Sequence, residues 1–335
     1  MSRDCLLAAD VGGTKATLGL GDAASARKLL AQRVYPSREH PDLETIVADF
    51  LQRPEVLAHD PRILAAGFAV AGPVADNSTT LTNLGWKVEA SALERRFGLP
   101  AVRLINDFTA AGQGITQLTD AELETLQAGE PAERGTRLII GAGTGLGVGL
   151  LTWDGHQYVG HPSEAGHADF AAVDALQDGL LAYLRASFGR VSYERIVSGP
   201  GLMRIFSFLQ ESGAGMPSRE LLDASKDRQD AAEVIAEFAV AKRDPLAVRA
   251  LDLFVAAYGA FAGNMALAIL PRGGVYIAGG IAPKIAAKLR DGSFIRSFVQ
   301  KGRFGDLLAT IPVRVVMNPH VGLFGALVEA QRVSR

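Results

Sequence analysis

Cysteine is nearly absent: Cys5 is the single one in 335 residues. An intrachain disulfide is excluded, and so is a structural zinc site built on cysteines. That suits a reducing compartment, and the expectation is a cytoplasmic protein. An excess of one charge is also missing. With 34 Lys and Arg against 36 Asp and Glu, the formal net charge is −2. The basic surplus that holds nucleic acid or an anionic membrane is not there, so neither is expected as a partner. Long apolar runs are scarce too. The stretch 253–270 carries no charge, but Gly259, Gly263 and Asn264 interrupt it and Pro271-Arg272 closes it. This is the pattern of a buried helix packed through small residues rather than of a membrane span. The start, Met1-Ser2-Arg3-Asp4 and a short apolar run, lacks the apolar core of a signal peptide. Two common phosphate-loop patterns are absent as well. No Gly-Lys pair occurs, which excludes a Walker A loop, and Leu146 or Val148 occupies the third glycine position of a dinucleotide fingerprint.

What is present is an ordinary globular composition, 48% hydrophobic and 21% charged. A strand at Cys5–Asp10, a turn at Gly12-Gly13 and a strand at Thr17–Leu20 read as a hairpin. Helical spacing covers 43–51, and 63–70 is a continuous apolar strand ending in Ala71-Gly72-Pro73. The segment 76–86 is polar and turn-rich. Ser91, with Glu94 three residues on, has the form of a capping box for a helix through Phe97. A strand follows at 101–105. At 137–151 the chain again runs strand, glycine turn, strand, an echo of its beginning that suggests two domains of related topology. Helices are expected at 176–188, 201–210 and 231–240, with a polar, mobile surface loop at 217–229. A strand at 274–278 precedes Gly279-Gly280, and 321–332 reads as a closing amphipathic helix. Strands alternating with helices argue for an α/β fold, with the ligand in a cleft between the two halves.

Several segments carry chemistry. Asp10-Val11-Gly12-Gly13-Thr14-Lys15 places an acid at a strand end, then glycines, a hydroxyl and a cation. Such a turn can present N–H groups to a phosphate while Asp10 holds Mg²⁺ directly or through water, or it can be a simple hairpin turn. The run 141–149 has five glycines in nine positions. Two glycine turns, each with a threonine and each after an apolar strand, could clamp a nucleotide polyphosphate between them. Glu164 and His167 are spaced to face one way on a turn and, with Glu194, offer hydrogen-bonding groups to a polyol; a solvated loop is the plain alternative. Asn83, close to Trp86, suits a sugar site in which Trp covers an apolar face, and suits a turn equally. Finally, Leu104-Ile105-Asn106-Asp107 ends a buried strand on a carboxylate that is either a helix cap or a catalytic base.

In their order these segments resemble the bacterial glucokinase family, within the group of hexokinases and actin-like ATPases. The resemblance rests on Asp10 to Thr14, Leu104 to Ala110, Gly141 to Gly147, Glu164 to His167, Glu194 to Gly201 and Gly274 to Ile281, and covers nearly the whole chain. It implies a two-domain actin-like ATPase (ribonuclease H-like) fold, with 1–116 plus 320–335 as a small domain and 117–319 as a large one closing on the sugar. It implies phosphorylation of glucose by ATP with Mg²⁺, Asp107 as the general base, and a homodimer. Asn106, Glu164, His167 and Glu194 match the residues that bind glucose. Asp10, Gly12, Gly13 and Thr14 match the first phosphate loop, Gly143, Thr144 and Gly145 the second, and Gly279 and Gly280 the adenosine segment. Lys15 stands where relatives often have Asn, and Ser163 and Ala165 replace glycines, which is expected to restrict the sugar loop. Other readings are a sugar-sensing paralogue with weakened catalysis, or a kinase using ADP, polyphosphate or another hexose.

Overall fold

The apolar runs become the inner strands of two mixed sheets in the computed structural model, which describes residues 2–334 apart from 82, 227 and 229. In chain order the strands are β1 (Arg3–Val11), β2 (Lys15–Asp22), β3 (Ser25–Pro36), β4 (Pro61–Val70), β5 (Ser78–Leu81), β6 (Trp86–Glu89), β7 (Val102–Asn106), β8 (Leu123–Gln127), β9 (Arg137–Ala142), β10 (Leu146–Trp153), β11 (Tyr158–Ser163), β12 (Gly274–Ala278) and β13 (Val313–Val316). One sheet has the order β3-β2-β1-β4-β7, a second β11-β10-β9-β12-β13-β8, and β5 pairs with β6. The first sheet places β1 centrally, with β2 and β3 on one side and β4 and β7 on the other; the second repeats this around β9, with β10 and β11 on one side and β12 and β13 on the other, and adds β8 at its edge. The echo between the two halves is therefore one of topology. In the first sheet β1 is antiparallel to β2 and parallel to β4, which is parallel to β7; in the second β9, β12 and β13 run parallel.

By contacts the chain divides into two compact units, 1–122 with 149–162 and 318–335, and 123–148 with 163–317. The sequence expectation drew this line at 116 and 320 and left 149–162 in the second part. The first unit is closed by the C-terminal helix Val321–Val333, which packs on β4, β1 and the helix Asp107–Ile115. The approach is backbone to backbone: a Cβ on Gly114 would lie 1.8 Å from the Val321 carbonyl, and one on Gly325 1.7 Å from that of Ala110. In the second unit the helix Pro245–Ile269 runs through the core. It is long and apolar enough to cross a membrane by length and composition, but 78% of its most apolar window is buried inside the protein. Gly259 and Gly263 seat it against the carbonyls of Phe294 and Phe298, the small-residue packing its sequence suggested.

Three local expectations need correction. The helix after β6 starts at Ala90 with Glu89 as its N-cap and no side-chain cap. Ser91 is thus inside the first turn, and Glu94 accepts a hydrogen bond from Val102 N–H at 2.9 Å instead of closing a capping box. The turn-rich 76–86 segment contains the β5–β6 hairpin, entered through Asp76 and Asn77 at φ 47° and 55°. Residue 82 lies outside the described residues. The polar stretch 217–229 contains the helix Arg219–Lys226, with Leu221 buried and the Ser218 hydroxyl accepting from Leu221 N–H. A single buried leucine gave no visible period there, and Asp227 and Gln229 lie outside the described residues.

Candidate active site

Ligands of α/β sheets gather at the carboxyl ends of parallel strands, and the candidate residues of the first unit lie there. Val11, Val70 and Asn106 end β1, β4 and β7 in register, so the turn after β1 and the Asn106-Asp107 pair share one sheet edge. The turn is closed by Gly12 N–H donating to the Lys15 carbonyl at 2.9 Å. Ser37, fully buried, braces it: its hydroxyl donates to the Gly12 carbonyl and its N–H to that of Thr14. Nothing in the sequence singled out Ser37, a small polar residue after a long polar edge strand. Asn83 stands beside Gly13, where an added methyl would come within 3.3 Å of the Asn83 Cβ. Trp86 is 5% exposed within the apolar core, which takes its ring away from any role of covering a sugar.

Asn106 settles the capping question for its neighbour. Its Oδ1 accepts from the N–H groups of Phe108 and Thr109 at 3.0 and 3.1 Å, and its Nδ2 donates to the Gly72 carbonyl and to Asp107 Oδ1 at 3.2 and 3.0 Å. Asn106 is the N-cap of the helix Asp107–Ile115. The two backbone donors fix which end of the amide is oxygen. Asp107 Oδ1 also accepts from Phe108 N–H at 2.9 Å. The carboxylate is therefore oriented by two donors at the first turn of a helix.

Asp10 sits under the N-terminus of the C-terminal helix: a Cβ on Gly322 would meet its Oδ2 at 2.4 Å. Burial pushes the Asp10 carboxyl up to about 6, with the Lys15 ammonium pulling the other way. A carboxyl raised above its unfolded value keeps its proton in the folded state between about pH 4 and 6, so its contribution to stability is full below that window and lost as pH rises through it. Asp10→Asn is accordingly expected to raise stability at pH 7.5 by on the order of 1–2 kcal/mol, with no gain at pH 4. Thermal melts at the two pH values check this; equal gains at both would contradict it. Among the described residues no cluster of three or more His, Cys, Asp or Glu converges as a metal cage. A single hard oxygen donor suits Mg²⁺ that arrives on phosphates and keeps much of its water.

In the second unit the same edge logic brings the glycine segments together. Ala278 at the end of β12 is in register with Gly141 of β9, so Gly279-Gly280 leaves the sheet beside Gly143-Thr144-Gly145. Gly279 has φ +82°, and a Cβ there would lie 2.4 Å from the Ala142 carbonyl. Gly143 N–H closes the turn on the Gly145 carbonyl, while the Gly143 carbonyl accepts from Gly199 N–H at the start of the helix Gly199–Glu211. Next to this turn is the polar cluster. Glu194 Oε2 accepts from Leu146 N–H at 3.1 Å, and its Oε1 lies 3.9 Å from His167 Nδ1, whose Nε2 is 3.9 Å from Glu164 Oε2. Glu164, His167 and Glu194 thus form one group. The restriction expected from Ser163 and Ala165 does not arise, because 163–167 contains no positive φ and Ala165–His167 is a 3-10 turn, with the Ser163 hydroxyl accepting from Ala165 N–H. The close approach is at Gly166, where a Cβ would sit 1.9 Å from the Leu146 carbonyl.

The family model described as Glucokinase matches residues 7–333. The chain belongs to the glucokinase family. A curated relative named glucokinase from Nostoc punctiforme is 42% identical over 98% of this chain and 99% of its own length, and one from Synechocystis sp. is 43% identical over 96% of each. Among solved structures, a glucokinase from an Antarctic psychrotroph aligns with TM-score 0.82 at 29% identity over 98% of this chain and 99% of that one. A ROK-family glucokinase from Streptomyces griseus, solved with glucose and AMPPNP, aligns at TM-score 0.66 and 22% identity, a likeness of fold. The fold is the actin-like ATPase type, and the strand order shared by the two sheets is its visible sign.

Proposed function

We propose that this member of the glucokinase family transfers the terminal phosphoryl group of ATP to the 6-hydroxyl of D-glucose, with Asp107 taking the hydroxyl proton. The observation that carries the reading is the double hold on Asp107 Oδ1 by Asn106 Nδ2 and Phe108 N–H, which aims a carboxylate at the strand edge where substrates of such folds lie. A general base must be oriented before its basicity is of use. In this reading Glu164, His167 and Glu194 accept and donate hydrogen bonds to glucose hydroxyls, and Asn83 adds an amide. Asn106 spends both amide hydrogens on protein acceptors, so in this conformation it serves the sugar by orienting Asp107.

Phosphoryl transfer is mostly positioning and charge stabilisation. The N–H groups of Gly13, Thr14 and Lys15 and those of Thr144 and Gly145 would hold the phosphates, on turns that Gly12 and Gly143 N–H close, with Gly279 and Gly280 beside the adenosine. Mg²⁺, held through Asp10, would neutralise phosphate charge. The Asp107 carboxylate keeps the incoming hydroxyl hydrogen-bonded and receives its proton as the new P–O bond to the sugar forms and the P–O bond to the bridging oxygen breaks, with ADP as the leaving group. A methyl at position 279 would both strain a left-handed backbone and strike the Ala142 carbonyl. Gly279→Ala is therefore expected to raise the KM for ATP by about tenfold with glucose KM unchanged; equal shifts in both constants would argue against the adenosine assignment.

The function is tested by a product assay for hexose 6-phosphate over a panel of hexoses with ATP, ADP and polyphosphate. Glucose with ATP is expected to give the highest kcat/KM; a preference for another donor or hexose would replace the substrate assignment. The same reading expects a cytoplasmic homodimer, which light scattering of the purified protein checks as twice the chain mass.

A further inference from the structure

Asn264 is a half-buried polar side chain in the last two turns of an apolar core helix, and its position calls for a reason. It lies in Pro245–Ile269 between Gly263 and Met265. Gly259 and Gly263 hold that helix against the Phe294 and Phe298 carbonyls so closely that added methyls would come within 2.3 Å. The Asn264 backbone is therefore a fixed reference within the unit. From it Nδ2 donates to the Tyr193 phenol oxygen at 2.9 Å.

Tyr193 is 2% exposed, with its ring 4.7 Å from Phe261 and 5.4 Å from Phe170 centroid to centroid. It opens the 3-10 turn Tyr193–Arg195, whose next residue is Glu194. Its N–H donates to the Ala168 carbonyl at 2.9 Å, one residue after His167, and its carbonyl accepts from Ile196 and Val197. The two turns carrying Glu194 and His167 are thus joined at Tyr193, and the phenol ties the joint to the helix. A phenylalanine would fill the same aromatic pocket, so packing does not account for the hydroxyl. The phenol oxygen also takes a hydrogen bond from the backbone at Ala171, and Asn264 is half-buried, so what the Asn264 bond adds is the tie to the helix.

We infer that Asn264 and Tyr193 are positioning residues: their hydrogen bond anchors the paired turns and sets where Glu194 and His167 meet the sugar. This rests on the proposed assignment of Glu194 to glucose. The bond touches no substrate, and it lies under the sugar-side cluster, so its loss should be felt in glucose binding and not in ATP binding or in the chemical step.

The experiment compares glucose KM, ATP KM, kcat and Tm across wild type, Glu194→Gln, Tyr193→Phe, Asn264→Leu, the double variant and Asn264→Asp. Glu194→Gln is the control for the underlying reading: an unchanged glucose KM there removes Glu194 from the sugar, whatever the anchor does. With that KM raised, Tyr193→Phe and Asn264→Leu are each expected to raise glucose KM by about 5- to 20-fold, with kcat and ATP KM within about threefold. The double variant should be no worse than Tyr193→Phe alone, because that substitution already removes the bond to Asn264. Asn264→Asp, which lets the phenol donate to a carboxylate, should bring glucose KM back to within about threefold of wild type. It also serves with Tyr193→Phe if Asn264→Leu does not fold. A lowered Tm with glucose KM unchanged in the single variants would mean a structural bond alone and would overturn the inference, as would additive effects in the double variant.

Discussion

Asp107→Asn is expected to lower turnover by about 10²- to 10⁴-fold while leaving glucose affinity within roughly tenfold. The amide keeps the size of the side chain, and its oxygen can still accept from Phe108 N–H and Asn106 Nδ2, so the start of the helix Asp107–Ile115 should be unchanged. What disappears is a group able to take the sugar proton. Because Asn106 supplies the N-cap, the substitution does not remove a cap, and Tm should stay within a few degrees. A cap role for Asp107 would give the opposite pattern, a stability loss of about 1 kcal/mol with turnover nearly intact. Steady-state kinetics and melting of one purified variant separate the two.

Gly325→Ala should have the largest effect on stability. Its new Cβ would fall 1.7 Å from the Ala110 carbonyl, a distance no rotamer can relieve because both partners are backbone. The C-terminal helix and the helix Asp107–Ile115 would have to separate; Gly114 shows the same interface tight at the Val321 carbonyl, and Gly67 holds the C-terminal helix as closely against β4. Overpacking of this kind costs about 3 kcal/mol or more, roughly 5 °C or more in Tm for a chain of this size. Because the displaced helix begins at Asp107, kcat should fall as well. A Tm within about 2 °C of wild type would show that the two helices slide apart freely.

Much of the fold was legible because the inner strands are apolar over most of their length: β1, β4, β9 and β12 stand near their sequence positions. The edge strand β3 was invisible, since 9 of its 12 residues are exposed or intermediate and carry no period-2 signal. The helix Arg219–Lys226 failed for the same reason, and the Ser91 cap because local capping grammar cannot see that Glu94 is engaged by Val102 from the next strand. At the site, Glu164, His167 and Glu194, singled out by residue type, lie together within the second unit. The sequence could not show Ser37 bracing the first turn, Gly322 against Asp10, or the burial of Trp86, all of which depend on residues far apart in the chain. Ala165 was expected to strain its loop on the strength of a glycine in relatives, whereas the tight position is the neighbouring Gly166.

The most direct test of the account is the ³¹P and ¹³C NMR spectrum of the protein incubated with Mg²⁺, ATP and [6-¹³C]glucose. The account predicts ADP and a phosphate monoester in equal amounts, with the C6 resonance shifted and split by phosphorus. Release of inorganic phosphate without a sugar ester, an ester on another carbon, or no turnover at all would contradict it.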